Sequence, residues 1–199
     1  MVRAILEGRK TQTRRVLATY QDAVKFCPEW DVNGKQIFIV LGEKDHTGMN
    51  PVITAIPCPF GQPGDRVWVR ETFRVHSRAT DVATLVYRAS VRNSWTEQTH
   101  RVPVAVCNKP ATPEKWTPSI HMPRWASRIT LEITGVRVER LNSITESDAE
   151  AEGVTDTGFG DLLVDGYRYL WKSIYGEESW AANPWVWVIE FKRVEGGAA

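Results

Sequence analysis

Cysteine is scarce in this chain. Three occur in 199 residues, Cys27, Cys58 and Cys107, and no two of them have C-x-x-C spacing. An odd number without that spacing argues against a disulfide framework and against a structural zinc site. A reducing cytoplasm fits such a chain best. An excess of charge of one sign is also missing: 25 Lys and Arg against 24 Asp and Glu leave a net charge of +1. No global field draws the chain to nucleic acid, so any such contact has to come from a local patch. No run approaches the roughly 20 apolar residues of a membrane span, and no secretory leader opens the sequence. His46, His76 and His100 are scattered and read as surface, and His121 has no His or Cys partner at ligand spacing. Neither a metal nor another cofactor is implied. There is no internal repeat and no low-complexity segment.

What is present is concentrated near the start. Gly8-Arg9-Lys10-Thr11-Gln12-Thr13-Arg14-Arg15 carries four cations, two hydroxyls and an amide, with no apolar residue. A solvated surface needs no such density of donors, whereas a site for an anion or a polar base uses all of it. The segment follows Val2, Ile5 and Leu6, an apolar-periodic stretch that reads as a short helix stopped by Gly8. Its cations are therefore expected at a helix C-terminus and in the turn after it, where capping accounts for one or two of them. The nine tryptophans are divided between core positions and candidate base-stacking platforms.

Residues 20–63 read as irregular, with one hairpin whose Asn33-Gly34 turn joins 30–32 to 36–40. Pro63-Gly64-Asp65 predicts a turn into a strand over Arg66 to Thr72, and Ala83 to Tyr87 predicts another. Residues 90–123 hold five prolines and read as an inserted loop. Ile129, Leu131, Ile133, Val136 and Val138 alternate with polar residues around Gly135, predicting one long strand with a bend or bulge. Capping-box spacings at Ser143/Glu146 and Thr145/Asp148 start a helix near 145 that runs to Glu152 and stops at Gly153. A second helix is expected over 161–175, with Leu162, Leu163, Tyr167, Leu170, Trp171 and Ile174 on one face. The last strand is expected over Trp185 to Lys192, followed by a disordered tail over 195–199. Strands separated by single helices without a βαβ rhythm indicate a mixed α+β fold, with a small bent barrel and helices at its rim.

Taken in order, several of these pieces resemble the ASCH-domain family of PUA-like barrels. They are Gly8-Arg9-Lys10-Thr11-x-Thr13-x-Arg15 and Pro63-Gly64-Asp65-x-x-Trp68-Val69-Arg70-Glu71-Thr72. The strand from Ile129 to Val138, the helix end Ala149 to Gly153 and the closing Trp187 to Phe191 complete the set. The longer form with two insertions, about 20–62 and 90–123, is similar to phage and prophage members. The resemblance implies one domain over 1–194, a PUA-like bent β-barrel, and a cleft for RNA or a modified nucleoside. It implies a basic cleft lined by residues 10–15, Glu71 and Glu152. Some small relatives are amidohydrolases that remove the acetyl group of N4-acetylcytidine, and their Lys, Thr and Glu match Lys10, Thr13 and Glu152 here. The Arg following the Thr matches Arg15. Other relatives are RNA-binding modules or ribonucleases, and fold alone does not choose among these. The family's short strand before the first helix has no counterpart ahead of Val2, which implies an open barrel edge or a substitute segment.

On physical grounds a lysine acts as a base only when its pKa falls from about 10.4, through burial or nearby positive charge. Arg9, Arg14 and Arg15 supply that charge beside Lys10. A neutral Lys10 can take the proton of Thr13 or of a water. Glu152 holds the Lys10 amine or protonates the leaving nitrogen, and Arg15 or a backbone N–H of the 11–15 turn meets the oxyanion. Alternatively, Thr13 caps a turn and Glu152 is an exposed helix residue. Glu71 shares strand parity with Val67 and Val69 and needs a cation, for which Arg15 or Lys10 is expected. Arg124 and Trp125, within the stretch from Ser119 to Arg128, can hold a phosphate and stack a base, or can pack as a loop with Trp125 as anchor. No membrane partner is expected, and the sequence names no protein partner.

Overall fold

The computed structural model describes residues 1–90, 99–155 and 162–194. The expected tail at 195–199 and the expected first residue of the second helix lie outside them. The fold is α+β, mostly antiparallel, with one sheet curled into a half-barrel and few helices. The described residues pack as two compact units. One comprises 1–7, 66–90, 99–131 and 193–194, the other 8–65, 132–155 and 162–192.

The second unit carries the basic motif. Strands β1 (Gln12–Val16), β9 (Thr130–Arg140) and β10 (Trp185–Val194) form its main sheet, in the order β1-β10-β9. Strands β1 and β10 are antiparallel and pair Gln12 with Glu190, Thr13 with Ile189, Arg14 with Val188 and Arg15 with Trp187. Directly paired residues share a face, so β10 has an inside and an outside that are both apolar. Trp185, Trp187 and Ile189 join Leu17, Phe26, Phe38, Val40, Ile133 and Val136 in one core. Val186 and Val188 join Leu141, Ile144, Ala149, Tyr167 and Trp171 in another. A strand buried on both faces shows no simple polar alternation, which is why β10 reads as a nearly continuous apolar run.

The first of these cores is roofed by residues expected to be irregular. Strands β2 (Lys25–Trp30), β3 (Gln36–Leu41) and β4 (Val52–Pro57) form a three-stranded antiparallel sheet instead. The 33–34 turn is where the sequence places it, with Gly34 at φ 73°. The sheet's burial is one-sided and weak at its edges, with Trp30, Val52 and Ile53 exposed, so its strands lack the alternation that announces a half-buried sheet.

Glycine has a clear physical reason at two positions here. Gly61 sits at φ 112°, and a Cβ there would lie 2.8 Å from Ile133 Cδ1. Gly61→Ala is expected to cost about 2 kcal/mol, read as a fall of about 6 °C in Tm. Part of that loss should return in an Ile133→Val background, which removes the clashing methyl. An unchanged Tm would contradict the account. At Gly135 the constraint is space rather than backbone angle and is milder, because a Cβ would meet Glu190 Oε2 at 2.8 Å, the far end of a flexible side chain that can shift. The long strand expected through Gly135 is present as β9.

The expected first helix is present as α1 (Val2–Leu6), and helices α2 (Glu146–Ala151), α3 (Leu163–Tyr175) and the short α4 (Glu178–Ala181) follow β9. Thr145 caps α2 in a capping box with Asp148, and Gly153 ends it at φ 86°. Helix α3 buries Tyr167 and Trp171, whereas Leu162 and Ile174 are exposed. The apolar stripe is thus narrower than its sequence pattern.

The first unit holds β5 (Arg66–Trp68) and a meander of β6 (Phe73–Arg78), β7 (Val82–Tyr87) and β8 (Thr99–Pro103). The strand expected over 66–72 breaks after Trp68, and a separate one begins at Phe73. The 62–65 turn closes through Asp65 N–H to the Gln62 carbonyl at 3.0 Å. The expected loop over 90–123 contributes β8 and a 3-10 turn over Ser119–His121, with another over Arg124–Ala126 just past it. Phe73, Val75, Leu85, Tyr87, Val102, Met122 and Ala126 form the core of this unit, with Trp125 packed on it.

Candidate functional site: a buried ion network

Residues 12–16 form a strand, not the helix end and turn expected of them. The edge of β10 supplies their hydrogen bonds, and strand alternation then separates the motif into two faces. Lys10, Gln12 and Arg14 point inward and are buried, while Arg15 is exposed and Thr13 half-buried. Thr13, paired with Ile189, lies on the face opposite Arg14, which is paired with Val188.

Six polar or charged side chains are buried among the described residues, and four of them, Lys10, Gln12, Arg14 and Glu152, meet in one network. Lys10 is 4% exposed and Glu152 5%. Lys10 Nζ donates to Glu152 Oε2 at 2.6 Å and to the Glu152 carbonyl at 2.9 Å. The backbone locks the pair: residues 10 and 152 form an antiparallel bridge, and Thr11 N–H donates to the Ala151 carbonyl at 2.8 Å. Glu152 is therefore the C-terminal cap of α2 turned inward, not an exposed helix residue.

Arg14 ties this pair to a second layer. Its Nη1 lies 3.4 Å from Glu152 Oε1, and its Nη2 lies 2.6 Å from Glu139 Oε1 and 3.3 Å from Asp148 Oδ2. The guanidinium sits 5.8 Å from the centre of the Tyr167 ring, while its Nε is buried without a hydrogen-bond partner. Arg137 closes the outer side, holding Glu139 at 3.0 Å, Asp148 at 2.6 Å and Glu190. Gln12 Nε2 donates to Asp148 Oδ1 at 3.1 Å. Three cations, Lys10, Arg14 and Arg137, thus face four carboxylates, Glu139, Asp148, Glu152 and Glu190. Near-neutrality is what permits burial, because each isolated ion would cost several kcal/mol.

The network perturbs titration in a chemically useful direction. Burial, the largest influence, lowers the Lys10 pKa below the ordinary 10.5, Glu152 opposes that, and Arg15 and Arg14 lower it further. For Asp148, burial pushes the pKa up. The Thr145 hydrogen bonds and the charges of Arg14 and Arg137 outweigh it and leave the group below 3.8. The sign follows: a carboxyl depressed in the folded state stabilises the fold above its unfolded pKa and loses that contribution as pH falls through the folded value. Asp148→Asn is expected to lower stability at neutral pH, with the gap to the parent narrowing below about pH 4. Urea unfolding at several pH values reads this directly, and a gap that widened in acid would contradict the assignment.

The other candidates lie elsewhere. Glu71, 2% exposed, does not pair with Lys10 or Arg15. Its partner is Arg128, whose Nε and Nη2 donate to the two carboxylate oxygens at 2.9 Å each. The cost of burying Glu71 is met within the first unit. Arg124 is exposed, donates to Thr130 Oγ1 at 3.4 Å and lies 6.0 Å from the Trp68 ring centre. Trp125 stands edge-on to Phe73 at 6.4 Å, as an anchoring residue would. Arg9 is exposed and donates to the Gly153 carbonyl at 3.2 Å. His100 is half-buried and its Nδ1 lies 2.9 Å from the Tyr87 hydroxyl, so it is not a plain surface histidine.

Sequence reasoning missed Arg137, Glu139 and Glu190, which read as the outward polar face of their strands. It saw Asp148 only as a cap. The available signal was the opposite charge of Arg137 and Glu139 two residues apart on one strand face. Among the described residues no group of three or more His, Cys, Asp or Glu is arranged to hold a metal, and no helix is long and apolar enough to cross a membrane. No family model, curated protein or solved structure matches the chain.

Proposed function

We propose that the chain is a PUA-like protein of the ASCH type and an amidohydrolase that deacylates an N4-acylated cytidine-type nucleoside or base. The observation that carries this reading is the buried Lys10–Glu152 pair, 2.6 Å apart and drawn together across 142 positions of the sequence. A lysine with a depressed pKa beside a carboxylate is a base with a proton acceptor at hand. In the reaction Lys10, once the Lys10–Glu152 ion pair has given up its proton, removes a proton from water as its oxygen attacks the acyl carbon. Glu152 holds the resulting ammonium. The tetrahedral intermediate collapses as Lys10 returns the proton to the exocyclic nitrogen, releasing the free base and a carboxylate. Water is assigned as nucleophile because strand alternation separates Thr13 from Arg14 and Gln12. Thr13 and Arg15 share the other face of β1 and take no part in this step.

A second reading is a non-catalytic RNA-binding module. It is favoured by one feature: Arg9 and Arg15 are exposed while Lys10 and Glu152 are closed off from solvent. Incubation with N4-acetylcytidine, following cytidine release by chromatography, separates the two. The amidohydrolase reading expects release by the parent and none by Lys10→Ala. Absence of release, with RNA retention that falls with salt and with Arg15→Ala, would replace it by the binding reading.

A further inference from the structure

A second site lies in the first unit, where a pocket of about 420 Å³ is lined by Arg3, Arg70, Glu71, Thr72, Arg88 and Ser119 among others. That volume is within the small-molecule range of roughly 300–1,000 Å³. Its charges are unbalanced. Glu71 is held by both donors of the Arg128 fork, so its charge is already matched. Among the described residues no carboxylate pairs with Arg3, Arg70 or Arg88. Arg3 and Arg70 are instead oriented by neutral groups: Arg3 Nε donates to the Ala89 carbonyl at 2.9 Å, and Arg70 Nη1 donates to the Ile120 carbonyl at 3.3 Å. Arg70 also stacks at 4.9 Å over Trp68. Two guanidinium groups are thus pre-set at the wall, with Arg88 beside them.

The depth of the groups gives the site a polarity. The three arginines are exposed and form the rim, whereas Glu71 is buried and forms the floor. A rim of three forked cations suits a doubly charged tetrahedral anion, which guanidinium groups bind in bidentate fashion. A carboxylate floor whose donors come from Arg128 still has lone pairs for a ligand hydroxyl or N–H. Thr72 and Ser119, half-buried, add hydroxyls along the wall.

We propose that this pocket binds a small phosphomonoester, with the phosphate on Arg3, Arg70 and Arg88 and a hydrogen-bond donor of the ligand body on Glu71. The site is built from other residues than Lys10 and Glu152 and does not rest on the amidohydrolase reading.

Calorimetric titration tests it with ribose 5-phosphate, the 5′-ribonucleoside monophosphates, ribose, inorganic phosphate and succinate as probes. The expected result is binding of at least one phosphomonoester, tighter than phosphate alone by tenfold or more, with ribose and succinate silent. Preference between the sugar phosphate and the nucleotides identifies the source of the phosphate. Arg88→Ala is exposed and spares the core, and it should weaken that binding at least tenfold. Cytidine release from N4-acetylcytidine, measured on the same preparation of the parent, keeps failure here distinguishable from failure of the hydrolase. Two results would overturn the proposal. One is that no phosphomonoester binds at millimolar concentration. The other is that binding occurs but is indifferent to Arg70→Ala and Arg88→Ala together, or is matched by succinate.

Discussion

Arg14→Met is expected to destabilise the protein by about 3–5 kcal/mol, the usual loss when one partner of a buried ionic network is removed. Arg14 is 2% exposed and touches three carboxylates, Glu139, Asp148 and Glu152. Without it Lys10 still neutralises Glu152, and Arg137 still holds Glu139 and Asp148. The inner oxygens of all three would face one another across a cavity of methionine. Arg14→Lys keeps the charge but loses the fork, so it should fall between the parent and Met. Denaturant unfolding reads this as a lowered midpoint with an unchanged slope. A loss below 1 kcal/mol for Arg14→Met would mean that the carboxylates hold protons or water and that the network is not an ionic one.

On the proposed amidohydrolase reading, Lys10→Met is expected to reduce kcat/KM for an N4-acylated cytidine by about 10³-fold, within the usual range for a positioned acid–base group. The substitution also leaves Glu152 buried with only the 3.4 Å contact to Arg14, so part of the loss would come through stability. The double variant Lys10→Met/Glu152→Met separates the two effects. Replacing a whole buried ion pair by apolar groups is frequently neutral or stabilising. It should therefore regain the stability lost by the single variant while remaining inactive. A structural role alone would restore activity along with the fold.

Part of this network was legible in the sequence. The capping box at Thr145 and Asp148 and the stop at Gly153 depend on local hydrogen bonding, so their spacing alone located the end of α2. The order Lys10, Gln12, Arg14 contains the strand's period of two, but alternation of charged residues has no hydrophobic marker, and Gly8 pointed to a helix end. Only the edge of β10, where Gln12 pairs with Glu190 and Val16 with Val186, decides that 12–16 is a strand. The same non-local dependence hid Arg128 as the partner of Glu71 and Arg137 as the outer clamp. The expected hairpin located β3 and its turn, whereas most of β2 and all of β4 were missed for another reason. Lys25-Phe26-Cys27-Pro28-Glu29-Trp30 contains a proline and no clean alternation, yet β3, with Phe38 and Val40 buried, carries it into the core.

The most direct test of the central claim is the titration of Lys10 itself, by NMR of its side-chain carbon in the folded protein. The account predicts a midpoint below 10.5, and a further fall in Glu152→Gln, because Glu152 is the influence that holds the proton on Lys10. A midpoint at or above 10.5 in the parent would contradict it, since Lys10 would then be a permanently charged partner of Glu152 and no base at neutral pH.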